Sequence, residues 1–143
     1  MTPGLFIVLE GVDGGGKSTQ ITMLYEYFEG KDYDVELHVE PTHEVIGQLI
    51  WDYMNGKDRS FEPETEALLF AADRIEHGKS VTKALEAGKI VISDRYKHSS
   101  LAYQGAAGVD VDWMQSLNKH ALMPDLVILL DIDPDKSLER VLD

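Results

Sequence analysis

No cysteine occurs anywhere in the 143 residues. A disulfide framework and a thiolate metal site are therefore both excluded, which is compatible with a cytoplasmic location. No apolar run approaches the ~20 residues of a membrane-spanning helix, so no contact with a membrane is expected. Nor is a secretory leader expected: Leu5–Leu9 is too short for its apolar core and runs straight into Glu10. Positive charge is scarce as well. Lys and Arg number 13 against 26 Asp and Glu, a formal net charge of −13. Such a surface repels nucleic-acid backbones and argues against a DNA- or RNA-binding module. Anionic ligands must then be held by local devices: backbone N–H groups, helix N-termini, a bound cation and a few placed side chains. Repeats, low-complexity tracts and linkers are also missing. Hydrophobic residues make up 43% and charged residues 27%, a globular composition. One domain spanning 1–143 is expected.

Three continuous apolar runs read as buried parallel strands: Leu5–Leu9, Ile90–Ile92 and Leu126–Ile132. The alternating run Val35–Val39 reads as a strand nearer an edge. Helical patterns fall between them at Ser18–Phe28, Glu44–Met54, Glu64–Glu86, His98–Tyr103 and Val111–Leu122. A last helix starts after Pro134, with Asp133 as its N-cap. Alternating strands and helices predict an α/β fold of three layers, a central parallel sheet flanked by helices. Ligands of such sheets bind at the carboxyl ends of the strands.

The first strand is followed by Gly11-Val12-Asp13-Gly14-Gly15-Gly16-Lys17-Ser18-Thr19. This fits the P-loop pattern G-x-x-x-x-G-K-[ST], with a strand before it and a helix after it. Glycines let successive N–H groups turn inward onto phosphates, and the helix start aims its positive end at the same place. Lys17 is expected on the β- and γ-phosphates of ATP, and Ser18 on Mg²⁺. A GTPase would carry an Asn-Lys-x-Asp guanine motif, and none is present.

In the long helix, a 100° wheel puts Leu68, Ala71, Ala72 and Ile75 on one face, read as the core stripe. Phe70, Arg74 and His77 fall opposite. An aromatic and an arginine one turn apart suit a nucleobase, the ring stacking and the guanidinium donating; a second packing face accounts for Phe70 equally well. After Ile90–Ile92 comes Ser93-Asp94-Arg95-Tyr96. Asp94 is placed to orient Mg²⁺ or its water, and Arg95 to grip an acceptor phosphate; a surface Asp-Arg pair in a turn is the plainer alternative. Tyr103 and Gln104 offer a ring, a hydroxyl and an amide to a base edge or sugar, or else belong to an amphipathic turn.

Gly-Val-Asp-Gly-x-Gly-Lys-Ser-Thr, Glu40-Pro41, Leu-Leu-Phe-Ala-Ala-Asp-Arg, Asp-Arg-Tyr-x-x-Ser-Ser-Leu-Ala-Tyr-Gln-Gly and Pro124-Asp125-Leu126 with Leu130-Asp131 occur in this order along the whole chain. Together they resemble the thymidylate kinase family of P-loop nucleoside monophosphate kinases. The resemblance implies transfer of a phosphoryl group from ATP to dTMP, with Mg²⁺, in dTTP synthesis. It implies that Asp13 meets the sugar 3′-hydroxyl region and helps place Mg²⁺, and that Phe70 stacks on thymine while Arg74 bonds the base. Arg95 would hold the dTMP phosphate with Asp94 beside the metal. Ser99, Tyr103 and Gln104 would line the base and sugar pocket, with Glu40 and Pro41 in the same substrate-binding set. Homodimerisation, with Glu64–Glu86 as the interface, is a further family expectation.

Two departures stand out. Val39 occupies the place where many relatives carry Arg, and Gly14 and Gly15 stand where one subgroup carries a basic P-loop residue. The subgroup without that residue draws its catalytic arginines from a lid segment. The lid and a further strand would come after the helix that reaches Asp143. The 143 residues alone are thus expected to bind nucleotide weakly and turn over little, with Leu126–Ile132 as a bare apolar edge. Two other functions remain open from the residues: a P-loop kinase for a different (deoxy)nucleotide, and a nucleotide-binding fragment without turnover.

Overall fold

The strand β1 (Leu5–Glu10) is central because both of its faces are apolar. Successive side chains of a strand point to opposite sides, so Phe6 and Val8 pack with Val81, Ala84, Val91 and Tyr96, while Ile7 and Leu9 pack with Ile21, Ile90 and Ile92. Each set is covered by a different helix layer. The structure, a computed structural model, describes residues 2–143.

Three more strands complete the sheet: β2 (Val35–Val39), β3 (Ile90–Asp94) and β4 (Leu126–Leu129). All pairs are parallel, in the order β2-β3-β1-β4. The helices are α1 (Lys17–Glu29), α2 (Val45–Asn55), α3 (Pro63–Glu86), α4 (Lys97–Ala106), α5 (Val111–Leu117) and α6 (Pro134–Leu142). The expected α/β layering and the edge position of β2 are both observed. So is the Asp133 cap, which accepts from the N–H groups of Asp135 and Lys136.

Two elements are shorter than their patterns. β4 stops at Leu129 and not Ile132, because its partner β1 ends at Glu10; Leu130 N–H to Glu10 O, at 2.9 Å, is the last rung. α5 stops at Leu117 and not Leu122. There the Asn118 amide turns back to the Met114 carbonyl at 2.8 Å, while its oxygen accepts from Arg74.

A larger difference concerns α3. Leu68 and Ile75, expected in the core, are 48% and 44% exposed. Ala71, also expected there, is buried and Ala72 half-buried; the buried residues of α3 are Ala67, Ala71, Asp73, Arg74, His77, Val81 and Ala84. Small residues let the helix sit close, and the polar pair Arg74 and His77 finds partners inside the protein. The wheel ranked apolar side chains first, and so it kept Ala71 but set Arg74 and His77 outside.

The first rung of the β1–β4 pair is closed by Asp125. Its carboxylate accepts from Phe6 N–H at 2.8 Å, and its own N–H donates to Phe6 O at 2.9 Å. Phe6 is fully buried, so its N–H has no water to turn to. Asp125→Ala is expected to lower unfolding free energy by about 1–3 kcal/mol in denaturant titration, and Asp125→Asn, which keeps an acceptor, by less.

Candidate active site

The carboxyl ends of β1 and β3 lie side by side, and the two segments that leave them converge. After β1 the chain forms a loop in which Gly14 and Gly16 take φ of 74° and 93°. A β-carbon at Gly14 would stand 2.6 Å from the Ser137 carbonyl, so the tight seat of α6 also demands glycine. Gly16 caps α1 without any side-chain acceptor. The first N–H groups of α1 are therefore left for an anion.

Lys17 Nζ donates to the carbonyls of Gly11 (2.7 Å) and Val12 (3.3 Å). Burial pushes its ammonium below the usual lysine range, and the Arg95 guanidinium adds to this. Asp94, Asp13 and Glu10 pull the other way. The cation is thus poorly hydrated and held beside the loop, an arrangement suited to phosphate oxygens.

After β3, Arg95 takes φ of 72°, a left-handed conformation that costs a non-glycine residue on the order of 1–3 kcal/mol. Local hydrogen bonds oppose that strain. Arg95 N–H donates to Leu9 O at 3.0 Å, and the Ser93 hydroxyl donates to Arg95 O at 3.0 Å. The turn sends the guanidinium to the Asp13 carboxylate and lays it 5.5 Å from the Tyr103 ring centre. Next to it, Asp94 Oδ1 is buried without a hydrogen-bond partner. Val12, Asp13, Gly14, Gly15, Gly16, Lys17, Ser18, Thr19, Asp94, Arg95 and Arg140 line one cleft of ≈ 380 Å³.

Not every expected residue opens onto that cleft. Arg74 is 1% exposed. Its Nε donates to Glu40 Oε2 (2.7 Å), Nη1 to Asn118 Oδ1 (2.7 Å) and Nη2 to Ser100 Oγ (3.0 Å). Glu40 is likewise buried, between Arg74 and His77. The Pro41 carbonyl accepts from the Trp51 indole at 2.9 Å. Ser99 gives both its N–H and its hydroxyl to Glu10. Phe70 is half-buried and belongs to none of the apolar clusters among the described residues. Gln104 is buried with Oε1 unpartnered, and Tyr103 is exposed.

Several residues that hold the segments around the cleft carry little signal in the sequence. Glu10 accepts from Tyr96 N–H at 2.8 Å and from Ser99, pinning the turn after β3 to β1. A carboxylate closing an otherwise apolar strand was the available signal. Asp73 holds Thr42 through N–H (2.8 Å) and hydroxyl (2.6 Å). Arg140, from α6, reaches the Gly14 carbonyl at 3.2 Å, and nothing in a lone helical arginine announces this.

A parallel sheet with a glycine-cradled anion site at its central strand, and an acid-arginine pair on the neighbouring strand, defines a P-loop nucleotide kinase. A family model described as thymidylate kinase matches residues 9–143. The probable thymidylate kinase of Thermococcus kodakarensis is 50% identical over 145 residues, covering 96% of this chain and 71% of that protein. The thymidylate kinase of Halothermothrix orenii is 44% identical over 142 residues, covering 96% and 69%. The crystal structure of thymidylate kinase from Ehrlichia chaffeensis matches with a TM-score of 0.83 at 34% identity, over 97% of this chain and 82% of that one. The chain belongs to the thymidylate kinase family.

Arg74 is bound on three sides in the interior, so its removal strands the Glu40 carboxylate. Arg74→Ala is expected to cost about 3–5 kcal/mol of stability, read as a lowered urea midpoint. A loss below about 0.5 kcal/mol, the usual size for a surface site, would show that the guanidinium is not structural.

Proposed function

We propose that this protein transfers the γ-phosphoryl group of ATP to the phosphate of dTMP, giving dTDP and ADP on the route to dTTP. The observation that carries this reading is the single cleft joining Lys17, Asp94 and Arg95, in a chain of the thymidylate kinase family. The N–H groups of Gly14 and residues 16–19, together with the Lys17 ammonium, hold the β- and γ-phosphates, while the Gly15 N–H closes the loop onto Val12 O at 3.0 Å. Arg95, oriented by Asp13, holds the acceptor phosphate so that one of its oxygens faces the γ-phosphorus. That oxygen forms the new bond as the bridging oxygen leaves with ADP. Such a transfer is mostly positioning and charge stabilisation, and the strained Arg95 turn supplies both.

The cleft also suits Mg²⁺. The unpartnered Asp94 oxygen and the Ser18 hydroxyl are hard donors beside the phosphate loop. Among the described residues no group of three or more His, Asp or Glu could cage an ion. One carboxylate, one hydroxyl and nucleotide phosphates match the way Mg²⁺ is usually bound. When bound, it would neutralise charge on the phosphate oxygens.

On the acceptor side, Phe70 provides the ring for thymine, and Tyr103 with Gln104 the wall against the sugar and base edge. With five N–H donors, Arg74 keeps capacity for a thymine carbonyl beyond its bonds to Glu40, Asn118 and Ser100. Ser99, Glu40 and Pro41 act here through the protein, holding the turn and the β2 end in place. The surface supports two further proposals. Leu49 of α2 with Leu68 and Ile75 of α3 are each exposed, and they form the contact of a homodimer. The charge of −13 opposes nucleic-acid binding, and among the described residues no helix is long and apolar enough to cross a membrane; a cytoplasmic place of work is the second proposal.

A coupled assay with dTMP, dUMP, dCMP and AMP tests the acceptor, and dTMP is expected to give the highest kcat/KM. A clear preference for another acceptor would reassign the pocket. Lys17→Ala is expected to abolish transfer; retained turnover would remove the P-loop from the reaction. For Arg95→Ala, the loss in dTMP binding is expected at roughly 1.5–3 kcal/mol, with ATP binding much less affected.

Phe70→Ala is expected to weaken dTMP by roughly 1–3 kcal/mol, the size of a base–aromatic stack, with a small change in Tm. A large fall in Tm with unchanged KM would make Phe70 a packing residue.

A further inference from the structure

β2 carries Glu36 and His38 at alternate positions, with Glu40 next in the same phase just past its end, hence on one face. That face looks onto α3, and an unbroken line of ionisable groups joins the two. Glu36 Oε2 lies 3.1 Å from His38 Nε2; His38 Nδ1 lies 2.8 Å from His77 Nε2; His77 Nδ1 lies 2.8 Å from Glu40 Oε1. Glu40 Oε2 then accepts from Arg74. The line begins at the partly exposed Glu36, which is also held by Lys89 at 2.8 Å, with Asp34 3.5 Å from the same ammonium. Its inner end is covered by Tyr96, whose ring lies 6.4 Å from that of His77. Burial raises the Tyr96 phenol above its ordinary value, with Glu40 adding and Arg74 opposing. The remaining nearby charge, Asp73, is bound to Thr42.

Counting hydrogens along this line decides its charge. Carboxylates only accept, a neutral imidazole has one N–H and an imidazolium has two. Three hydrogen bonds lie between Glu36 and Glu40, and they need three ring N–H groups. Two neutral rings supply two. Two imidazolium rings supply four, and two N–H groups would then face each other across 2.8 Å. With both carboxylates ionised, only a pair carrying one positive charge fills every bond.

We propose that His38 and His77 share a single positive charge along this line, and that the pair positions Glu40 and Arg74 beneath the acceptor pocket. The second half of this proposal rests on the thymidylate reading above; the first half does not. When the pair loses that proton, three bonds share two hydrogens. Either two bare nitrogens face each other or a carboxylate loses its donor. Glu40, gripped by Arg74 on its other oxygen, then loses its fixed place, and dTMP affinity falls.

The first measurement is nitrogen-15 NMR of the wild-type chain's imidazole rings. His38 and His77 are expected to carry three ring N–H groups between them and never four. Four N–H groups on the two rings overturn the shared charge. The second is the dTMP dissociation constant by calorimetry at about pH 6.5 and about pH 8.5, in wild type and in His38→Gln. Phosphate monoesters themselves titrate near about pH 6, so the comparison is between proteins. Wild type is expected to lose roughly two- to tenfold more affinity than His38→Gln as pH rises, the worth of one net hydrogen bond. An identical pH response in the two proteins overturns the positioning role. Failure of dTMP to bind at either pH would fell the thymidylate reading and the positioning role with it, while the NMR result still decides the shared proton.

Discussion

The buried guanidinium of Arg74 ties together four elements that share no backbone hydrogen bonds with one another at that point. Glu40 comes directly after β2, Ser100 lies in α4, Asn118 comes directly after α5, and Arg74 itself sits midway along α3. A charge taken out of water is tolerated only when it is paired and its remaining donors are bonded. That demand fixes where α3 lies against the sheet, where α5 must stop and how the β2 end is held. The planar fork of five donors is what lets one side chain do this; a lysine ammonium in the same place has no such fixed geometry.

A second constraint, at the carboxyl ends of β1 and β3, has the same character. Glu10 is buried and accepts from Tyr96 and Ser99. With the bond from Arg95 N–H to Leu9 O, it holds the turn after β3 in a conformation a non-glycine residue otherwise avoids. The strain is local and the bonds that oppose it come from the central strand, so the position of Arg95 is referred directly to the P-loop. Phosphoryl transfer depends on the distance between donor and acceptor phosphates. Here the groups assigned to each hang from adjacent strands of one sheet.

Much of this was legible in the residues. Continuous apolar runs gave three parallel strands, and the alternation in Val35–Val39 gave β2 at one edge. β4, whose run reads as buried, lies at the other edge with Leu126, Val127 and Leu129 exposed, because among the described residues no strand or helix covers it. The P-loop was legible because a phosphate cradle needs glycines, a lysine and a hydroxyl in fixed order. The face of α3 was legible only at Ala71 and Ala72. A wheel weighs side chains by polarity, and Arg74 with His77 counted as outward; the Arg74 partners Glu40, Ser100 and Asn118 lie 34, 26 and 44 residues away in sequence. The ends of β4 and α5 failed for a related reason. Each depends on a partner, the end of β1 in one case and the Arg74 fork in the other.

By itself, then, the sequence determined the layer order, the phosphate loop and the family, because these rest on short-range spacing and on residue types that tolerate few replacements. Only the tertiary structure decided which polar side chains are interior and how they are paired. A buried charge is stable only in the company of specific partners, and those partners meet only once the sheet and helices have come together. The line from Glu36 through His38 and His77 to Glu40 is the plainest case. Its residues are ordinary one by one, and their common charge exists only in the fold that sets the rings 2.8 Å apart.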